Sequence, residues 1–192
     1  MRAESDAVDP NTVDPDTVDP DTKDWTWTLE RPCPECGFDA GSVARESIAG
    51  LTTELTSPWQ AVLARDDATS RPTTGVWSPL EYACHVRDVC RVFGGRLQLM
   101  LEQEDPAFPD WDQDETAVQE RYGAQDPSVV RHEVSAAADE VAARFRSVGA
   151  DQWTRRGTRS NGSAFTVESL GRYFLHDLAH HLVDVGVTRP RP

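Results

Sequence analysis

The sequence contains almost no lysine: its 19 basic residues are Lys23 and eighteen arginines, against 33 acidic residues. The resulting net charge of −14 argues against nucleic acid or an anionic membrane as a partner, because both are bound through basic surfaces. Long apolar runs are also missing, since none approaches the ~20 residues that span a bilayer, and no signal-peptide pattern opens the chain. We therefore expect a cytoplasmic protein.

Cysteine and histidine are scarce as well, with four cysteines and five histidines in 192 residues. A disulfide-stabilised scaffold is usually shorter and denser in cysteine, so that class is excluded. A chain of this length is expected to form one domain that buries roughly two-thirds of its unfolded surface. The histidines are unevenly spread, because three of the five lie between residues 176 and 181.

The composition divides the chain into four segments. Residues 1–23 carry the repeat VDPNT-VDPDT-VDPDT, which has too little apolar surface to fold, so we predict a disordered acidic tail. Residues 24–41 are rich in cysteine, proline and tryptophan and predict an ordered lead-in. The domain itself is expected over residues 42–187, and residues 188–192 are expected to be a flexible C-terminus.

Helical spacing of apolar residues dominates the predicted domain, and no stretch shows convincing strand alternation. Ser78, Pro79 and Glu81 form a capping box with proline at the first helical position, which marks one helix start clearly. The predicted helices cover about 42–62 with a break at Pro58, 79–103, 127–148 and 167–185. This pattern predicts an all-α fold, a four-helix bundle with long connecting loops.

The last predicted helix carries the three clustered histidines. His176 and His180 are separated by about 400° of helical rotation, so they lie on nearly one face and can share a metal ion. His181 is rotated by about 100° from His180 and is expected to be a neighbour of the site. Bundles build metal sites from facing helices, and His85, among apolar residues of the second helix, is the candidate third ligand.

Three histidine ligands leave a coordination position open, which is typical of catalytic metal sites. Neutral imidazole suits zinc, nickel, iron or copper. The alternative interpretation is that these histidines are hydrogen-bonded residues of the core or surface. A zincin-type protease is not indicated, because Asp177 follows His176 where the H-E-x-x-H motif has glutamate.

Two motifs together resemble the DinB-like superfamily of four-helix-bundle metalloproteins. They are WSPLEYACH, residues 77–85, and H-x-x-x-HH from His176. The resemblance covers roughly residues 42–187 and implies a DinB-like bundle in which His85, His176 and His180 bind a divalent metal, commonly zinc or nickel. Among the relatives are mycothiol-dependent maleylpyruvate isomerases, some of which have glutamate at the position of His176. Members often form homodimers.

The resemblance also implies a function. The superfamily includes S-transferases and isomerases that use mycothiol or bacillithiol, and a metal ion stabilises the reactive thiolate of such a thiol at neutral pH. The arginine-rich composition is typical of GC-rich actinobacterial genomes, which favours mycothiol. We predict a metal-dependent thiol S-transferase or isomerase with a small electrophilic substrate. The alternatives are a non-enzymatic metal-binding or stress-associated module and a metal-dependent hydrolase.

Further candidate residues lie outside the histidine motifs. Hydrolysis by a bound water needs a general base, and Glu81, Asp88 and Asp177 are the candidates. The link before the last helix contains three arginines that could hold a carboxylate of the thiol or the substrate, or could simply belong to a solvated loop. They are Arg155, Arg156 and Arg159.

The segment Cys33-Pro-Glu-Cys36-Gly has the spacing of half a zinc ribbon, but no second C-x-x-C follows. Cys84 and Cys90 are six residues apart on a helix and cannot jointly supply the other half. Three interpretations of Cys33 and Cys36 remain open: a redox dithiol, a knuckle that takes one or two metal ligands from the bundle, or two thiols that fix a turn.

Overall fold

The structure, a computed structural model, describes Val18 and residues 23–188. The predicted disordered tail and flexible C-terminus therefore lie outside the described residues, apart from Val18, Lys23 and Thr188. Two short 3-10 turns, Thr26–Leu29 and Ala40–Ser42, form part of the lead-in.

Helices make up most of the described chain, and the predicted all-α bundle is confirmed. Their bounds are Ile48–Thr56 (α1), Trp59–Val62 (α2), Pro79–Glu102 (α3), Gln113–Gln119 (α4), Pro127–Arg146 (α5) and Val167–Asp184 (α6). Both α1 and α3 pack against α5 and α6. The helices α1 and α3 therefore lie diagonally across the bundle, although only the short α2 separates them in the chain.

The helix ends follow from local sequence signals. The interruption predicted at Pro58 is confirmed, because α1 ends before it and α2 begins after it. At the start of α3, the Ser78 hydroxyl accepts a hydrogen bond from the Glu81 backbone N–H (3.2 Å), and the Glu81 carboxylate accepts one from the Ser78 N–H (2.7 Å). This reciprocal pair satisfies amide groups that a helix start leaves without partners.

A small sheet joins the two long links of the bundle, and the sequence did not predict it. Its strands are Ala107–Phe108 (β1), Arg156–Arg159 (β2) and Ala164–Thr166 (β3). Strand β2 lies in the middle, parallel to β1 and antiparallel to β3. A Cβ atom on Gly157 would lie 2.8 Å from both Met100 and Phe108, so this close approach of β2 to α3 requires glycine.

The buried core is largely apolar, and its buried charged residues and histidines lie on α3 and α6, the two helices that carry the histidine motifs. His85 on α3 and His176 on α6 are 0% and 3% exposed. Within the part of the chain that the structure describes, no helix is long and apolar enough to cross a membrane. The burial of His85 and His176 in this core requires a functional or structural explanation.

Candidate metal centres

Helix α6 carries two overlapping pairs of residues spaced four apart: His176 with His180, and Asp177 with His181. Because the pairs are offset by one residue, about 100° of rotation around the helix separates them. Each pair meets a different part of the chain. Asp177 and His181 form a cluster with His85, whereas His176 and His180 form one with Cys33 and Cys36, and in each cluster the ligand-type atoms lie within 4.8 Å of one another.

The first cluster, His85, Asp177 and His181, is called the inner site. Asp177 Oδ1 lies 3.6 Å from His85 Nε2 and 3.6 Å from His181 Nε2. The other ring nitrogen of His181, Nδ1, is 2.8 Å from Asp184 Oδ2. A carboxylate on the outer nitrogen of an imidazole fixes the ring and its tautomer, as in many metal sites.

Aromatic rings hold His85 in place. Trp111 stacks on the imidazole with ring centroids 5.4 Å apart and an interplanar angle of 9°, and the centroid of Trp77 also lies 5.4 Å away. Both ring nitrogens of His85 and Asp177 Oδ1 are buried without a hydrogen-bond partner among the described residues. A buried polar atom without a partner costs free energy, and a cation bound to one nitrogen of His85 and to Asp177 Oδ1 would offset part of that cost.

The electrostatics of the inner site favour the protonation states that bind metal. Burial lowers the pKa of His85 below its ordinary value, so the imidazole is neutral at neutral pH. Burial opposes ionisation of Asp177, but the His85 and His181 imidazoles outweigh it and hold the pKa of Asp177 at about 2. The neutral His85 imidazole and the ionised Asp177 carboxylate are therefore in the protonation states that ligate a divalent ion.

The second cluster, Cys33, Cys36, His176 and His180, is called the knuckle site. Cys33 Sγ lies 3.8 Å from His180 Nδ1. The turn is closed by the Gly37 N–H, which donates to the Cys33 carbonyl (2.7 Å), and by the Cys33 N–H, which donates to the Phe38 carbonyl (2.9 Å). Gly37 has a φ of +70°, which favours glycine.

The predicted set of His85, His176 and His180 is thus divided between the two clusters. The sequence alone does not show which of the two pairs on α6 lies near His85, because both have the spacing of one helical turn. His181, expected to be a neighbour, lies in the same cluster as His85. The signal that was missed is the D-x-x-x-H register, which begins one residue after H-x-x-x-H.

A cavity of about 320 Å³ adjoins both clusters. Beyond the cluster residues its walls are mainly aromatic and acidic. The aromatic residues are Trp25, Trp77, Tyr82 and Tyr173, and the carboxylates are Glu35, Asp114 and Asp184. Lys23 is the one lysine or arginine among the described residues that line it. The long link between α3 and α5 contributes Asp114 to this wall and Trp111 to the ring stack on His85.

The candidate base Glu81 has a structural role. One of its oxygens accepts from both the N–H and the hydroxyl of Ser78 (2.7 and 2.8 Å), and Arg71 binds both oxygens at 2.6–3.2 Å. Asp88 is likewise engaged with Arg87, Arg91 and Tyr122. Neither carboxylate lines the cavity, whereas Asp177 does.

We expect Glu81→Gln to lower the free energy of unfolding by about 1–3 kcal/mol at neutral pH, since it weakens charge-assisted hydrogen bonds. Burial opposes ionisation, but Arg71 and Ser78 hold the pKa of Glu81 below its ordinary 4.5. The effect should be complete above pH 4.5 and fade as the pH falls through the lower folded-state pKa. Urea denaturation from pH 7 to 3 measures it, and exposed Glu140→Gln serves as the control. A constant difference across this range would contradict the assignment.

The three arginines of the link do not line the cavity. Arg155 donates from Nε to the Met100 carbonyl and from a terminal nitrogen to the Gln103 carbonyl, both at 2.5 Å. Arg159 donates to the side chains of Asn161 and Ser163, and Arg156 begins β2. These contacts of Arg155 and Arg159 attach the sheet to the end of α3 and brace its hairpin.

Comparison with known proteins agrees with this architecture. The sequence model of the DinB superfamily matches residues 45–184. The solved structure of YfiT from Bacillus subtilis, described as a probable metal-dependent hydrolase with an unusual four-helix bundle topology, superposes with a TM-score of 0.67 at 19% identity, covering 75% of this chain and 86% of that one. No curated protein matches the sequence. The match over residues 45–184 and the four-helix bundle show that the chain belongs to the DinB superfamily.

Proposed function

We propose that this chain is a metal-dependent enzyme of thiol chemistry, an S-transferase or isomerase, whose catalytic zinc or nickel ion binds at the inner site. The observation that carries the proposal is the pair of His85 and Asp177, whose buried ring nitrogens and Oδ1 have no hydrogen-bond partner among the described residues, beside a cavity. Two imidazoles and one carboxylate are three protein ligands, the number that catalytic zinc sites use while a position stays open for substrate.

A divalent ion at this position would act as a Lewis acid that keeps a thiol ionised near neutral pH. The protein's own part is to fix the ligands. Trp111 stacks on the His85 ring and Trp77 packs against it at a tilt, and Asp184 accepts the Nδ1 proton of His181, which leaves Nε2 of His181 to face Asp177. The same aromatic rings keep water away from His85, which is fully buried.

The cavity walls favour a neutral, hydroxyl-rich thiol. Carboxylates such as Glu35 and Asp114 accept hydrogen bonds from hydroxyl groups, and aromatic faces such as Trp25 and Tyr173 pack against sugar rings. Mycothiol carries a sugar and a cyclitol and has no carboxylate. Glutathione and bacillithiol carry carboxylates, which an acidic wall repels. The lining therefore supports a mycothiol-type thiol over the other two.

Titration of the cobalt-substituted protein with mycothiol and with glutathione tests this proposal. We expect mycothiol to change the visible cobalt absorption in a saturable way, with an affinity at least about tenfold higher than that of glutathione. His181→Ala, which lacks an inner-site ligand, should lose the response. A spectrum that no thiol perturbs would contradict the proposal.

Metal-assisted hydrolysis is the second candidate, because Glu35 and Asp114 place carboxylates in the cavity that could act as general bases for a water molecule. The description of YfiT as a probable metal-dependent hydrolase supports it. The two candidates differ in their need for thiol. Turnover of ester or amide substrates at a rate independent of added mycothiol would favour the hydrolase.

A further inference from the structure

We propose that the knuckle site binds a second metal ion, a structural zinc held by Cys33, Cys36, His176 and His180. All four side chains present a ligand atom within 4.8 Å of the others. Two thiolates with two imidazoles form the set that zinc takes in closed tetrahedral sites. The donor set differs from that of the inner site, which has no sulfur and three ligands.

The backbone around the cysteines is arranged to present both thiols on one side of a tight turn. The hydrogen bond from Gly37 to the Cys33 carbonyl closes the turn, and the φ of +70° at Gly37 returns the chain towards Phe38. Cys33 is 1% exposed and Cys36 is half-buried. The hydrogen bonds within this turn position the two sulfur atoms independently of the histidines.

The two histidines of the site are positioned by helix α6 and by aromatic packing. His176 and His180 project from one face of α6, and Trp25 packs against both rings with centroids 5.5 and 4.8 Å away. The carboxylate of Glu35, between the two cysteines, lies 3.6 Å from His180 Nε2. With four ligands the site is closed, so its role is to hold parts of the chain together rather than to bind substrate.

The ion would fasten the lead-in to the last helix. Cys33 and His180 are 147 residues apart in the chain, yet their side chains touch. Through this attachment the lead-in contributes Trp25 and Glu35 to the cavity wall. The structural zinc therefore shapes one side of the cavity beside the inner site, and it is independent of the reaction that the inner site performs.

The metal content of the full chain tests this inference. We expect two equivalents of zinc in the wild type and in Cys84→Ala, a buried cysteine outside the cluster. Cys36→Ser and His85→Ala should each retain one. After cobalt substitution, the thiolate-to-metal charge-transfer band should persist in His85→Ala and vanish in Cys36→Ser. The pair of variants separates failure of the knuckle site from failure of the inner site.

Three results would overturn the inference. One is that Cys36→Ser retains all the metal of the wild type, and another is that a disulfide between Cys33 and Cys36 forms in freshly purified protein. Should Cys36→Ser fail to fold, X-ray absorption at the zinc edge of the wild type replaces it. We expect sulfur in the average coordination shell, and a shell of nitrogen and oxygen alone is the third contradicting result.

Discussion

Metal-free His85→Phe is expected to be more stable than the metal-free wild type by about 1–3 kcal/mol, although the substitution removes a metal ligand. The reason is that both ring nitrogens of His85 are buried without hydrogen-bond partners among the described residues. A phenyl ring has no polar atoms to desolvate, and it can keep the ring contacts that His85 makes with Trp77 and Trp111. Urea denaturation in the presence of a chelator measures the difference.

Addition of zinc should reverse the order of the two proteins. An ion that binds only the folded wild-type inner site adds stability in proportion to the logarithm of its concentration over the dissociation constant, about 4.1 kcal/mol at a thousandfold excess. His85→Phe gains nothing from that site. Exposed His132→Phe is the matched control and should respond to zinc as the wild type does. If metal-free His85→Phe is less stable than the metal-free wild type, His85 is not a metal ligand whose buried nitrogens lack partners in the absence of the ion.

Asp88→Ala is expected to destabilise the protein by about 3–5 kcal/mol, because it removes the carboxylate that pairs through both oxygens with buried Arg87 and leaves only Glu133 as a charged partner. Both oxygens of Asp88 pair with Arg87 (3.0 and 2.9 Å), whose side chain is 4% exposed, and one accepts the Tyr122 hydroxyl (2.7 Å). The substitution leaves Arg87 with Gln125 and Glu133 alone. Equilibrium urea denaturation at neutral pH measures the loss.

Two further variants define the origin of that loss. Asp139→Ala, on the exposed side of α5, should lie within about 0.5 kcal/mol of the wild type. Tyr122→Phe removes only the hydroxyl and should cost about 1–2 kcal/mol. Equal effects of Asp88→Ala and Tyr122→Phe would mean that the hydroxyl, rather than the Arg87 charge, accounts for the role of Asp88.

The helices could be predicted because their signals are local. Pro58, the Ser78 capping box and Thr166 before α6 each act within a few residues, and the helix ends follow from them. The three strands could not be predicted, since β1 has two residues and alternation needs more. The sheet exists because the two links meet at the end of α3, which is information that only the folded chain contains.

The candidate site was only partly predictable for a related reason. His85, His176 and His180 were identified as candidate ligands from their spacing and surroundings, yet two registers of one helix turn occur side by side in HDLAHH, residues 176–181. Which register faces α3 depends on how α6 is rotated in the bundle. That rotation is set by the apolar residues that α6 buries, among them Leu170, Phe174 and Leu178. Spacing alone therefore could not assign the partners.

The contact between Cys33 and His180 also bears on how the protein is made. The thiols are synthesised well before the histidines of α6, because 147 residues separate Cys33 from His180. During synthesis the two cysteines therefore lack the imidazoles of His176 and His180 until α6 has been translated. A chain that stops before α6 would keep both thiols accessible, so thiol-reactive labelling would distinguish such chains from those that include α6.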